Sequence, residues 1–263
     1  MTKSIPNSGY FKVDNDSIFY ETSSFGNVIV LIHDGLIHRE VWDAQFSFFS
    51  KSYRVVRYDR RGYGNSSPAT SDYSNLEDLN ILFTRLKIDS ACLIGASSGG
   101  RLAIDFALNY PQKVSSLVLV GADVGGFPYT EHFSTRGGHL PPDLNNIQKQ
   151  SLYYVSDDPY EIYNENTETK KKAIELVKNN PIRIYGTHIN TAQTIPSYRR
   201  LNEIKVPVLI LVGEFDIPDN HAHAGAINAG ILNSKRIIIL KSGHLIPLEQ
   251  PDLFNEAVDN FLK

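Results

Sequence analysis

Along the chain, short apolar runs rich in β-branched residues alternate with stretches whose apolar positions recur at helical spacing. Residues 28–32 (VIVLI) are apolar at every position, as a strand covered on both faces requires. The runs at 17–22, 28–33, 53–59, 91–94, 117–120, 206–212 and 236–240 read as strands. Leu76, Leu79, Leu82, Phe83 and Leu86 mark a helix over 76–86, and further helices are expected at 41–50, 101–108, 167–179, 220–230 and 248–262. Such alternation predicts an α/β fold: a mostly parallel sheet with helices on both faces.

The rhythm breaks between residues 123 and 200. There is no buried apolar run, but there are Pro141-Pro142, Asp157-Asp158-Pro159 and the polar helical stretch at 167–179. A segment of that length is not a structureless loop inside a compact domain, so a small helical insertion is expected.

Composition narrows the field of functions. The 263 residues are 41% hydrophobic and 21% charged, which excludes a globally disordered chain. With 26 Lys+Arg against 29 Asp+Glu the net charge is −3, and no basic run suggests a nucleic-acid partner. Lys170, Lys171 and Lys172 read as a solvated helix face. The single cysteine, Cys92, forbids an intramolecular disulfide and lies inside a strand, where inert packing is expected. Residues 1–13 hold no apolar stretch of signal-peptide length, and no run approaches the ~20 residues of a membrane span. A cytoplasmic protein with no membrane partner is the expectation. His221 and His223 lie two apart with no further ligand near them in sequence, so they read as surface histidines and no metal is implied.

The sharpest chemical signal is Gly95-Ala96-Ser97-Ser98-Gly99, a G-x-S-x-G between an expected strand and an expected helix. A nucleophile on so tight a turn holds a strained backbone, and side chains two residues to either side would collide. Gly95 and Gly99 remove those collisions, and Gly100 lets the helix approach the sheet. A serine needs a base, and the base needs an orienting acid. Asp216, after the strand at 206–212, and His244, after the last strand, both fall at the carboxyl edge of the sheet, where Ser97 also lies. Asp219 and Asp123 are alternative acids, with Asp216 favoured.

Further segments carry a family resemblance. Leu31-Ile32-His33-Asp34-Gly35, Trp42, Asp59-Arg60-Arg61-Gly62-Tyr63-Gly64-Asn65-Ser66 and the ending from Gly243-His244 to Glu249-Gln250-Pro251 occur in that order around the G-x-S-x-G turn. Together they resemble the α/β-hydrolase superfamily across nearly the whole chain, and the order Ser, Asp, His is that superfamily's own. The resemblance implies an eight-stranded core from residues 1–122 and 201–263, with 123–200 as a helical cap. It implies Ser97 as nucleophile, His244 as base and Asp216 as orienting acid, with an oxyanion hole from the N–H groups of Gly35 and Ser98. No cofactor is implied, and the partner is a small-molecule substrate. The expected reaction is cleavage of a small carboxylic ester or lactone through an acyl-enzyme. Carbon–carbon hydrolysis, thioester cleavage or perhydrolysis on the same triad is the alternative, and a non-catalytic binding protein is a third reading. A serine nucleophile disfavours epoxide hydrolase and dehalogenase chemistry. His33 is expected to brace its loop. One departure from the pattern is Asp34, where relatives carry glycine; its carboxylate is expected to point outward, away from the oxyanion hole. Tyr153 and Tyr154 either line the pocket or hold the cap together.

Overall fold

A computed structural model describes residues 7–23, 25–143, 146–188 and 195–263. Residues 1–6 of the segment expected to lack a leader, residue 24 of the expected core, and 144–145 and 189–194 of the expected cap lie outside the described residues. Among the described residues there are eight strands: β1 (Asn7–Val13), β2 (Asp16–Thr22), β3 (Val28–Ile32), β4 (Arg54–Tyr58), β5 (Ala91–Ala96), β6 (Val114–Val120), β7 (Val208–Gly213) and β8 (Ser234–Ile239). They form one sheet in the order β1-β2-β4-β3-β5-β6-β7-β8, antiparallel at β1–β2 and β2–β4 and parallel from β4 to β8. The mostly parallel α/β architecture read from the sequence is the one observed.

The topology also fixes where a ligand can bind. From β3 the chain first moves outward to β4, then returns to add β5 on the other side of β3. The crevice beyond the carboxyl ends of β3 and β5 is therefore a switch point, open because the two crossovers leave on opposite faces. His33, Asp34 and Gly35 emerge from β3 there, and Ser97 emerges from β5.

Helices α1 (Asp43–Phe49), α2 (Asn75–Arg85), α3 (Ser98–Asn109), α7 (Pro218–Gly230), α8 (Ile246–Glu249) and α9 (Pro251–Leu262) cover the sheet. One apolar layer joins Leu82 and Phe83 of α2 with Phe106 of α3 and Ile227 of α7. The other joins Trp42, Phe49 of α1 and Phe254 of α9. Between β6 and β7 lie α4 (Glu131–Thr135), α5 (Ile147–Ser156) and α6 (Thr167–Asn179). Val155, Ala173, Leu176 and Val177 from this insertion enter the second layer, so the insertion shares a core with the sheet.

Three differences from the sequence reading have physical causes. β1 was not legible because it is an edge strand with only Phe11 and Val13 buried, and its hairpin partner supplies its register. The helix expected at 248–262 is two helices. Pro251 offers no N–H, and Gln250 before it sits at φ −133°, ψ 58°, outside the helical region. His223 is not a surface residue: it is fully buried, with its ring against Phe127 and Tyr129 and its Nδ1 accepting the N–H of Val124. Burial comes first in lowering its pKa to about 4, with Arg101 adding to it, so it is neutral at pH 7. Cys92 is buried as expected, and burial pushes its thiol up to about 12. Among the described residues, no helix is long and apolar enough to cross a membrane.

The turn joining β5 to α3 depends on glycine. A Cβ on Gly95 would lie 2.4 Å from the carbonyl oxygen of Gly99, and one on Gly99 would lie 2.5 Å from the carbonyl oxygens of Ile32 and His33. The atoms it would strike are backbone, which cannot swing aside. Gly95→Ala is expected to destabilise the fold by about 1–3 kcal/mol or more, as overpacking does. Urea unfolding would read this as a lower midpoint at unchanged slope; an unchanged midpoint would mean that the turn can relax.

Candidate active site

Ser97 occupies the turn between β5 and α3 with φ 51° and ψ −121°, a conformation that L residues rarely adopt. The strain is held by neighbours on both sides. Its N–H donates to the carbonyl of Val120 at 2.8 Å, and its own carbonyl accepts from the N–H groups of Gly100 and Arg101. The side chain is thereby presented at the carboxyl edge of the sheet, at the N-terminus of α3.

His244 and Asp216 meet from loops that follow β8 and β7. His244 Nδ1 and Asp216 Oδ2 are 2.9 Å apart, and the aspartate is fully shielded from solvent. The other carboxylate oxygen accepts from the N–H of Ile217 at 2.8 Å and from Asn220 Nδ2 at 2.7 Å, so the carboxylate cannot rotate freely. Gly121 sits beneath this pair at φ 52°; a Cβ there would lie 2.8 Å from His244 Nδ1. The backbone before the imidazole is held by Glu249, whose Oε2 accepts from the N–H of Gly243 and the hydroxyl of Ser242. The N–H of His244 itself donates to the carbonyls of Tyr160 and Glu161, both in the insertion.

Of the alternative acids, neither is bonded to His244. Asp123 is ion-paired with Arg101, and Asp219 accepts from the N–H and hydroxyl of Thr130.

The loop after β3 is fixed by a buried histidine. The N–H of Arg60 donates to His33 Nε2 at 3.0 Å, so that nitrogen carries no proton. His33 Nδ1 is then the protonated nitrogen and donates to the carbonyl of Asp34 at 2.7 Å. Burial, with Arg60 next, holds the pKa of His33 well below its ordinary value, which keeps it neutral. Arg60 also donates to the Asp34 carbonyl through Nη2. Because the peptide between Asp34 and Gly35 is planar, anchoring that carbonyl turns the Gly35 N–H to the opposite side. The carbonyl of Gly35 is held in turn by the hydroxyl of Tyr63 at 3.1 Å. His33 thus braces the loop.

The outward orientation expected for Asp34 is not observed. The residue is 2% exposed, and its Oδ1 folds back to accept from the N–H groups of Leu36 and Ile37 at 2.6 and 2.8 Å. An aspartate bonds readily to backbone N–H groups two and three residues on, and here that local closure keeps it inside. Burial raises its pKa, partly offset by those two bonds.

A cavity of about 190 Å³ lies over the switch point, lined by Ser97, Ser98, Gly35 and His244 together with groups from the insertion. Tyr129, Phe133, Arg136, Tyr154 and Glu161 come from the chain between β6 and β7, and Asn220 from α7. Sequence reading missed Arg136, Glu161 and Asn220. The insertion carries no motif, but Asn220 stands four residues after Asp216 at the start of a helix, a spacing that could have flagged it. Tyr154 is part of the wall, whereas Tyr153 donates its hydroxyl to the carbonyl of His139 and ties the insertion together.

Two titratable groups here are strongly displaced. For His244 burial acts downward, but the charges of Asp216 and then Glu161 outweigh it and raise the pKa to about 9. For Glu161 burial dominates and raises the pKa to about 7, against the lowering influence of His244 and Arg136. Displaced groups converging on one cavity are what reactive sites contain. Among the described residues, no group of three or more His, Cys, Asp or Glu side chains is arranged to hold a metal ion.

The chain is similar to known proteins along most of its length. A Bacillus subtilis protein provisionally named 2-succinyl-6-hydroxy-2,4-cyclohexadiene-1-carboxylate synthase is 28% identical, with 94% of this chain and 96% of that protein covered. A 2-hydroxy-6-oxononadienedioate/2-hydroxy-6-oxononatrienedioate hydrolase of Paraburkholderia phymatum is also 28% identical, over 93% of this chain and 90% of that one. Among solved structures, the enol-lactonase of Burkholderia xenovorans LB400 shares the fold with a TM-score of 0.75 at 20% identity, covering 97% of this chain and 99% of that one. The family model described as the alpha/beta hydrolase fold matches residues 27–251. With strand order, switch-point cavity and family match in agreement, the chain belongs to the alpha/beta hydrolase fold family.

Proposed function

We propose that this protein is a serine hydrolase that cleaves a small carboxylic ester or lactone, with Ser97 as nucleophile, His244 as general base and Asp216 as its orienting acid. The observation that carries the reading is the strained backbone of Ser97 on a cavity also lined by His244, whose Nδ1 is hydrogen-bonded to Asp216 behind it. In this mechanism Ser97 Oγ attacks the carbonyl carbon while its proton passes to His244 Nε2. Asp216, bonded at Nδ1, fixes the ring and stabilises the imidazolium. The tetrahedral oxyanion is met by the N–H groups of Ser98 and Gly35, the latter aimed by the anchored Asp34 carbonyl. Loss of one such donor typically costs about 2.7–4 kcal/mol. Collapse expels the alkoxide, which takes the proton from His244, and water then repeats the sequence on the acyl-enzyme. No step calls for a cofactor. The cavity is small beside the ~300–1,000 Å³ of drug-sized sites, which favours a short acyl or alkoxy group.

A second reading is carbon–carbon hydrolysis with the same three residues. It is favoured by the relatives, several of which are named 2-hydroxy-6-oxononadienedioate hydrolases. Two units, a core of residues 1–122 and 201–263 and a cap of 123–200, remain part of the proposal, with the cap supplying the specificity walls.

A fluorophosphonate probe is expected to label the protein stoichiometrically at Ser97, and Ser97→Ala to abolish both labelling and ester turnover. Folded wild-type protein that stays unlabelled would favour a binding protein over an enzyme. For the acid, Asp216→Asn is expected to lower kcat by orders of magnitude and Asp123→Asn far less; the reverse ranking would reassign the orienter.

The pH profile follows from the charges around His244. The base must be neutral to accept the serine proton, and its pKa is raised to about 9, so kcat/KM should climb with pH on a limb centred well above the ordinary 6.5. Glu161→Gln removes one of the negative charges that stabilise the imidazolium, so the limb should move to lower pH. A pH-stat assay on ethyl butanoate measures both; a limb at or below 6.5 in the wild type would refute this electrostatic account.

A further inference from the structure

The cavity wall is acidic, and its acidity is not used up by the protein. Arg136 and His244 are its basic groups; Asp34, Asp123 and Glu161 are its acidic ones. Asp123 is matched by Arg101. Glu161 has only a share of Arg136 beside the charge of His244, and among the described residues no cation bonds the carboxylate of Asp34. Arg136 gives Nε and Nη2 to the two oxygens of Asp158 at 2.8 and 3.0 Å, and Nη2 again to Glu161 Oε2 at 3.0 Å. One guanidinium therefore serves two buried carboxylates, and Asp158 takes the larger share of it. Arg60 is the cation near Asp34, but its Nη2 goes to the Asp34 backbone carbonyl and to Ser98 Oγ.

Among the described residues, two carboxylates of this wall, each at least nine-tenths buried, keep one oxygen with neither a hydrogen bond nor an ion pair: Asp34 Oδ2 and Glu161 Oε1. A buried unsatisfied carboxylate oxygen is costly, and it calls for a water, an ion or a ligand group to complete it. Both residues line the cavity, one from the loop after β3 and one from the insertion. Arg136, which could otherwise greet an anion, adopts left-handed backbone at φ 49°, ψ 47° and is locked by its two acidic partners. This wall has the wrong sign for a dicarboxylate, the kind of substrate named for several relatives.

Building on the ester-hydrolase reading, we propose that the substrate is a small ester bearing a primary ammonium group, received by Asp34 and Glu161 while its carbonyl rests against Ser97. An ammonium carries three donors and a full positive charge, so it is the group that complements carboxylates short of donors and of cations. Its protons stay in place throughout; only the ester bond is exchanged.

Three ethyl esters of matched length test this: 3-aminopropanoate, butanoate and the half-ester of succinate, which present a cation, a methyl and an anion at the same position. At pH 7.5 the expected order of kcat/KM is ammonium above methyl above carboxylate, with about tenfold or more between the first two, the size of one charge-assisted hydrogen bond. In Glu161→Gln and in Asp34→Asn the ratio of the first to the second should fall toward one, whatever each variant does to overall rate. Calorimetry on Ser97→Ala with the same esters reads recognition without chemistry and should follow the same order. A butanoate or succinate ester preferred in both assays, or a ratio unmoved in both variants, overturns the proposal while leaving ester hydrolysis intact. If wild-type protein hydrolyses none of the three but Ser97→Ala still binds the ammonium ester best, the hydrolase reading fails and the recognition stands.

Discussion

The site rests on a steric constraint at one turn. The chain must reverse from β5 into α3 within a few residues while passing within van der Waals reach of the backbone leaving β3. Only glycine fits at positions 95 and 99, and Ser97 is left between them in a conformation costing of order 1–3 kcal/mol. That cost is borne by the surrounding sheet, through the bond from Ser97 N–H to Val120 and the apolar layers on either face. The same close approach brings the loop of His33, Asp34 and Gly35 beside Ser98, so the proposed nucleophile and the proposed oxyanion donors have a common structural origin.

Around this turn, core and insertion are joined by polar contacts as much as by packing. Arg136, Asp158 and Glu161 form a buried cluster in the insertion, and the backbone beside it accepts the N–H of His244. Glu249 and Asn220 secure the histidine and aspartate loops from the core side. The imidazole is therefore clamped from two directions, and its proton affinity is set by charges from both.

Much of this was legible in the sequence, for identifiable reasons. Central strands buried on both faces must be apolar at every position, which exposed β3, β5 and β7. The strained turn demands glycines at fixed spacing, which exposed Ser97, and the loops after β7 and β8 carried Asp216 and His244. What stayed hidden lacks such obligations. β1 is an edge strand with little buried surface. Arg136 and Glu161 reach the cavity through tertiary placement in a segment with no periodic pattern, and an αL arginine has no sequence signature; Tyr154 was singled out in the sequence, but only the fold decides between its two places. The inward turn of Asp34 was decided by backbone N–H groups two and three residues further on, a local choice that composition does not reveal.

The contact between the insertion and His244 is made by main-chain carbonyls, at Tyr160 and Glu161. Every amino acid supplies such a carbonyl, so the anchor is indifferent to the letters written at those two positions. Side chains at those positions of the insertion can therefore change while the imidazole loop keeps its moorings. A scaffold of this kind uncouples where the imidazole sits, which main-chain atoms decide, from how tightly it holds its proton, which the Glu161 side chain helps to decide.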